Sequence, residues 1–402
     1  MNEDCDVVII GAGLAGSCAA TVMARMGRKV ALIDTQAAHQ PEFRAEKLGA
    51  VHMAQFERLG LGGAAKAATT PMDDIRVYRF GQLMSQENRR EYGFAYSSLV
   101  NAMRAALPDT VKQAVCRVES VATSPGCQSV TLTDGRAFTS RLLVVATGLG
   151  DAVRRKAGIA RVETKKAHSL SLAFTFARPA AAFAFQSLNY FGHRRAERVG
   201  YLTLFPIGGD MRANLFVYHE AKDAWTKTFR AAPQAELLRM MPEIAAICDG
   251  FALKGGVEVR QIDLTTSENH RRDGVVLLGD AFCTTCPAPG VGIQRVLTDV
   301  ERLCTAHLAG WLATPGMGAE KIAQFYDDPV KAANDARAMR LSVYSRAIVM
   351  DEGLAWTARR LRNTLARRAL LAQAQAARAL SRLPGLSAQR PVPVRTRDVM
   401  GA

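Results

Sequence analysis

Cys5-Asp6-Val7-Val8-Ile9-Ile10-Gly11-Ala12-Gly13-Leu14-Ala15-Gly16 is the stretch from which the fold is read. Residues 5–10 form a short apolar run of the kind buried on both faces in a parallel sheet. A Gly-x-Gly-x-x-Gly loop follows at once. Residues 14–27 then carry small and apolar residues at helical spacing, ending at Gly27, and residues 29–34 give a second buried strand closed by Asp34. Strand, glycine loop, helix and strand open a dinucleotide-binding fold, with the acid about 20 residues past the loop, where a ribose hydroxyl is held. Gly11 permits the tight turn, Gly13 lets the backbone approach a pyrophosphate, and Gly16 allows close helix–strand packing. Leu14 and Ala15 begin the helix, whose N-terminal N–H groups stabilise phosphate charge. A glycine-rich turn without a ligand is the competing reading, and the flanking elements with Asp34 argue against it.

The rest of the chain is read outward from this unit. Residues 94–107 have helical spacing. Residues 129–133 and 136–140 flank Asp134-Gly135, a hairpin signal. Residues 141–147 form another buried strand, ending at Gly148. From about 165 to 275 the texture changes to alternating segments such as 170–176, 200–205 and 212–218, which read as a mainly antiparallel sheet. Residues 275–279 return to the buried-strand pattern, residues 291–312 read as a helix, and from about 318 onward the chain is helical. Pro384, Pro391 and Pro393 mark an irregular tail.

The glycine loop says only "dinucleotide". A second stretch is more specific: Gly279-Asp280-Ala281-Phe282-Cys283-Thr284-Thr285-Cys286-Pro287-Ala288-Pro289-Gly290-Val291-Gly292, followed by a helix carrying Asp299. This resembles the flavin-binding signature of the class A flavoprotein monooxygenases, the p-hydroxybenzoate hydroxylase type. The resemblance implies that Gly279 and Asp280 meet the ribityl chain of FAD. It also implies that Pro287, Gly290, Val291 and Gly292 bring backbone N–H groups against the isoalloxazine ring. A helix N-terminus at that place favours the anionic reduced flavin. Arg44, ten positions after Asp34, matches a family arginine near the flavin phosphates, although Glu42 and Arg44 also read as a solvated surface pair.

One stretch departs from the family pattern, which has Ala-Asp-Gly-x-x-Ser-x-x-Arg where this chain has Ala146-Thr147-Gly148-Leu149-Gly150-Asp151-Ala152-Val153-Arg154. Gly148 and Arg154 are kept, while Thr147 replaces Asp and Asp151 replaces Ser. The change bears more on nicotinamide handling than on FAD. Tyr96 stands where the family has an arginine, and Cys283 where it often has a histidine. The resemblance spans roughly residues 5–310.

The fold class implied is α/β: an FAD-binding, Rossmann-like domain of the glutathione reductase type, with an inserted, mainly antiparallel β substrate domain and a helical C-terminus. The expected division assigns residues 1–165 and 270–320 to the FAD-binding domain, 166–269 to the substrate-side sheet, and 321–402 to C-terminal helices and tail.

Composition sets the outer limits. The chain has 402 residues, enough for two domains, and a net charge of +15. Such charge favours an anionic partner, or reflects a solvated basic surface rich in Arg and Ala. The last helix concentrates it. Arg359, Arg360, Arg362, Arg367, Arg368, Arg378 and Arg382 occur with no acid from 359 to 397, and Leu361, Leu365, Ala372, Ala376, Leu380 and Leu383 fall near one stripe. This suits an anionic membrane surface or an acidic carrier protein, or else a helix packing its apolar stripe on its own domain. Nucleic acid is not expected, since no aromatic-interleaved basic module is present. No apolar run reaches the roughly 20 residues of a spanning helix, and no secretory leader is read at the N-terminus. With eight scattered cysteines, the expected location is cytoplasmic, or peripheral to a membrane. Cys283-x-x-Cys286 invites a redox dithiol reading, but a zinc site would need a second such pair, so no metal is expected.

The activity that the resemblance implies is a monooxygenase. NADH or NADPH reduces FAD transiently, O2 adds at flavin C4a, and the hydroperoxide passes one oxygen to an aromatic or lipid-like small molecule. No second strand–glycine loop–helix unit offers the nicotinamide its own domain. His168, Tyr190, Tyr201 and His219 are substrate-side candidates by chemistry alone, and no catalytic acid or base is assigned. Three alternatives stay open. Tyr201-Leu202-Thr203-Leu204-Phe205-Pro206 and Ala-Thr-Gly are similar to features of flavin-dependent reductases of isoprenoid double bonds. A flavin-dependent halogenase would carry a Trp-x-Trp-x-Ile-Pro run, which is missing. A flavoprotein docking module for membrane or carrier protein is the third.

Overall fold

A computed structural model describes residues 2–192, 194–248 and 252–380. The apolar run at the N-terminus is the centre of a seven-stranded sheet. Strand Asn2–Ile10 lies parallel to Val30–Asp34 on one side and to Ala137–Val145 on the other. Lys112–Val115 extends the parallel part beyond Val30–Asp34, and Val275–Leu277 pairs with the last residues of Ala137–Val145. The first residues of that long strand pair instead with Gln128–Leu132, across a hairpin whose Gly135 has φ +85°. Val7, Ile9, Val144 and Val276 pack against helices Leu14–Arg25 and Gly292–Glu301 on one face; Val8, Ile10, Val145 and Leu277 fill the other. Burial on both faces is why these strands read as unbroken apolar runs.

Three adjacent parallel strands, Asn2–Ile10, Ala137–Val145 and Val275–Leu277, end at the same edge of the sheet. The loops that leave them begin at Gly11, Gly148 and Gly279, so the topology alone gathers the three glycine motifs at one crevice.

The second sheet has eight strands, in the order Leu253–Glu268, Ala160–Pro179, Asp210–Val217, Val199–Ile207, Ser187–Phe191, Thr70–Arg79, Gln82–Gly93, Lys47–Gly49. It is antiparallel except where Ser187–Phe191 lies parallel to Thr70–Arg79. Three of its strands come from residues 47–93, so the division at 165/166 does not follow the sheets. Gln82–Gly93 is mostly polar and only partly buried, and carries little hydrophobic signal for a strand. Helices Ala224–Ala231 and Pro233–Met240 cover one face, burying Phe229 and Leu237 against Leu172, Phe174 and Leu215.

The helix expected over 291–312 is Gly292–Glu301, a π-helical turn at Arg302–His307 and Leu308–Ala313. Three further helices follow: Ala319–Tyr326, Pro329–Met350 and Leu354–Leu380. The last turns most of its leucines to solvent, although Leu371 is buried. Leu354, Leu361 and Leu365 are 90%, 58% and 59% exposed. Arg359 lies over Trp356, while Arg360, Asn363, Thr364 and Arg367 face a cavity. Arg382, Leu383 and the prolines of the tail lie outside the described residues, as do the side chains of Arg378 and Leu380. Among the described residues no helix is long and apolar enough to cross a membrane.

Candidate FAD and substrate site

The glycine loop has the geometry its sequence requires. Gly11 sits at φ +103°, and a Cβ there would lie 2.5 Å from the Ala146 carbonyl oxygen. A Cβ on Gly16 would lie 1.9 Å from the Gly11 oxygen, so the helix and the loop touch backbone to backbone. Gly13 differs: its Cβ would meet nothing within 4 Å. The absence of a side chain at Gly13 therefore serves an approach from outside the protein, which fits a pyrophosphate. Cβ atoms on Gly290 and Gly292 would likewise meet nothing within 4 Å.

Asp34, expected from the sequence to meet a ribose, holds this loop. Its Oδ2 accepts from Ala12 N at 2.6 Å and from Arg104 Nη2 at 3.2 Å, and its Oδ1 accepts from Gln36 N. Arg104 also donates to the Ala12 and Gln36 carbonyls. Nothing in the sequence around Arg104 marked it as part of the loop.

Arg44 and Asp280, 236 positions apart, meet at 3.3 Å. Arg44 Nε is 2.8 Å from Glu42, its guanidinium lies 5.5 Å from the Tyr96 ring centroid, and a Cβ on Gly148 would come within 3.8 Å of it. Arg44 is thus a member of the crevice and not a solvated surface pair. Burial pushes the Tyr96 phenol up to about 12, so it stays neutral. Thr147, the departure from the family pattern, donates to the Gly150 carbonyl. Asp151 pairs with the fully buried Arg154 and with Arg161. Arg161 reaches further, donating to the carbonyls of Gly148 and Asp280 and to Thr265, and so ties two of the three glycine motifs together.

The Gly279–Gly292 loop is held from behind by a buried charge network. Gly279 N donates to Asp299 Oδ2 at 2.9 Å. Lys331 bridges Asp299 and Asp335, and Arg295 joins Asp335 to the Cys283 carbonyl and thiol. Burial disfavours the Asp335 carboxylate, but Lys331 and Arg295 outweigh this and lower its pKa. Lys331 and Asp335 lie on Pro329–Met350, beyond the part of the chain where the motif resemblance ran. Cys283 and Cys286 are free and face different partners, Arg295 and Ser169 respectively. Burial pushes Cys283 up to about 11 and raises Cys286 too, so neither is a ready thiolate.

A cavity of about 380 Å³ opens over these loops. Leu14, Arg44, Tyr96, Asp280, Pro287, Gly290 and Gly292 line it from the first sheet's side, and Lys47, Tyr201, Thr203, Asn214 and Phe216 from the second sheet. Of the four substrate-side candidates only Tyr201 reaches it, and its hydroxyl donates to the Ala288 carbonyl. Tyr190 is bound to Glu243 in the core under the second sheet, His219 stacks on Trp225, and His168 is fully buried against Tyr218. Ser171 and Asn214, which sequence reading passed over, line the cavity with buried Oγ and Oδ1 atoms that have no hydrogen-bond partner among the described residues.

Residues 4–316 match the family model described as "FAD binding domain", so the chain belongs to that family and binds FAD as an FAD-dependent oxidoreductase. Its fold is shared with Pseudomonas aeruginosa PqsL, determined with 2-aminobenzoylacetate, at a TM-score of 0.72 and 20% identity over 87% of this chain and 97% of that one. It is also shared with p-nitrophenol 4-monooxygenase PnpA from Pseudomonas putida DLL-E4, at a TM-score of 0.69 and 15% identity over 93% and 98%. By sequence, the chain is similar to a menaquinone reductase of Mycobacterium tuberculosis, 31% identical over 168 residues. That match spans 39% of this chain and 41% of the relative.

Proposed function

We propose that the chain is an FAD-dependent monooxygenase that uses NADH or NADPH and O2 to hydroxylate or epoxidise an aromatic or lipid-like small molecule. The cavity shared by the flavin loops and the second sheet carries this reading. It gives a substrate a place directly over Pro287–Gly292, walled by Phe216 and Tyr201. FAD, when bound, supplies the oxygen chemistry. The chain's own residues position the reactants and exclude water. Ser171 and Asn214 are available to hydrogen-bond a polar group of the substrate, which would satisfy two buried oxygens at once. Arg44 and Asp280 fix the cofactor side. The monooxygenase title of PnpA is in keeping with this reading.

A second reading is reduction of isoprenoid double bonds. It is favoured by Ala146-Thr147-Gly148 and by a relative whose name is that of a reductase. Holoprotein mixed with NADH or NADPH and candidate substrates, with and without O2, separates the two. Substrate-dependent O2 uptake and a product heavier by one oxygen support the monooxygenase. A product heavier by two hydrogens, formed without O2, overturns it in favour of the reductase.

The last helix supplies a further element of the reading. Its outward Leu354, Leu361 and Leu365 with flanking arginines suit an anionic membrane surface, with an acidic carrier protein as the other candidate partner. We place the protein in the cytoplasm, peripheral to such a surface.

A further inference from the structure

Arg79 has no task in the site above, and its surroundings are unusual for a cation. It ends strand Thr70–Arg79, with its guanidinium stacked 3.9 Å from the centroid of the Phe191 ring. Arg367, from helix Leu354–Leu380, enters the same cavity of about 210 Å³. Among the described residues no acid acts on either. Burial and then Arg367 disfavour the Arg79 cation, and burial disfavours that of Arg367. Arginine does not relieve such strain by losing its proton. The other arginines at this cavity differ: Arg194 is exposed to solvent, and two have partners. Arg195 is bound to Glu352 and the Met350 carbonyl, and Arg360 to the Asp351 carbonyl and Thr357. Two half-buried cations from distant parts of the chain therefore face one space without a counter-charge, an arrangement that an incoming anion would stabilise.

The remaining wall is aromatic and aliphatic: Phe191, Tyr201, Tyr218, Tyr344, Ile348 and Val349. Tyr201 lines this cavity and the flavin cavity alike, and its hydrogen bond to Ala288 closes the partition between them. Ala288 follows directly on Cys286 and Pro287, which face the flavin side.

We propose that this second cavity binds an amphiphilic small-molecule anion, with a carboxylate or phosphate held between Arg79 and Arg367 and an aromatic or apolar body lying on Tyr201 and Tyr218. The planar guanidinium donors match either oxyanion in a two-point manner. The polar inner face of the last helix is then explained as cavity wall, while Leu354, Leu361 and Leu365 remain outside. This concerns binding, and it holds or fails independently of oxygen transfer.

Titration calorimetry on FAD-loaded protein tests it, with 1-naphthoate, 1-naphthyl phosphate and the uncharged 1-naphthalenemethanol as probes. Both anions, or one of them, should bind at least tenfold more tightly than the alcohol, and which one binds better assigns the head group. Arg79→Gln and Arg367→Gln should each weaken anion binding about tenfold, while Arg362→Gln, on the exposed side of the same helix, should not. Flavin absorbance and nicotinamide oxidation, read on the same samples, report separately on folding and on the oxidoreductase reading. Equal binding of alcohol and anions, unchanged anion binding in Arg79→Gln and Arg367→Gln, or no binding of any probe would overturn the proposal.

Discussion

Lys331 Nζ lies 2.8 Å from Asp299 Oδ1, and both side chains are 1% exposed. The other oxygen of Asp299 holds the amide of Gly279, at the start of the Gly279–Gly292 loop. Helix Pro329–Met350 thereby fixes the loop through one buried ion pair. Breaking such a pair from one side leaves an uncompensated charge and costs about 3–5 kcal/mol. Lys331→Met should lower stability by that order and loosen FAD. Thermal unfolding followed by released flavin fluorescence checks both effects; an unchanged midpoint would remove the clamp from the account.

The glycines of the first loop should separate by mechanism. Gly16→Ala puts a Cβ 1.9 Å from a backbone oxygen and should destabilise the protein with or without flavin. Gly13→Val meets no protein atom near its Cβ, so the apoprotein should keep its unfolding midpoint while FAD affinity falls. Flavin titration of both apoproteins, beside their melting curves, makes the comparison. Equal FAD affinity in Gly13→Val and wild type would move the pyrophosphate elsewhere.

Arg44→Ala removes the contact to Asp280 and leaves Glu42 with Arg260 and His39. FAD affinity should drop about tenfold, or roughly 1.4 kcal/mol, measured by equilibrium fluorescence quenching. The effect should shrink at high salt if it is electrostatic in origin.

Asp328 gives a pH signature. It caps Pro329–Met350 by accepting from Val330 N and Lys331 N, and its other oxygen takes Arg302 and His307. Burial opposes its charge, but these partners win and bring it down to about 2. A carboxylate with a depressed folded pKa stabilises fully above its unfolded value of about 3.9 and loses that contribution as pH falls towards 2. Wild type should therefore lose stability over that window more steeply than Asp328→Asn. At neutral pH Asp328→Asn should be less stable by about 1–2 kcal/mol, in the range of a weakened cap and a lost ion pair. Denaturant melts across the acid range give both numbers.

Leu361→Ser with Leu365→Ser alters only side chains that face outward. Flotation with anionic vesicles should retain wild type and release the double variant, with neutral vesicles retaining neither. Equal flotation of both proteins would remove the membrane role of the last helix and leave the acidic carrier as its candidate partner.

The sequence by itself determined the parts of this protein that are continuous along the chain. Buried parallel strands read as apolar runs, and glycines at fixed spacing mark backbone that either packs against other backbone or is open to approach from outside. That was enough for the dinucleotide fold and for FAD. Only the tertiary structure decided what depends on pairing between distant segments. It sent the polar strand Gln82–Gly93 into the second sheet because a partner strand, and not its own hydrophobicity, makes it a strand. It joined Arg44 to Asp280, made Arg161 a stitch between motifs, and set Lys331 behind the flavin loop. It also turned the last helix so that Arg360 and Arg367 line a cavity while Leu354, Leu361 and Leu365 face out. A one-dimensional pattern shows that a helix has two faces, but which face turns inward depends on what the rest of the fold presents to it.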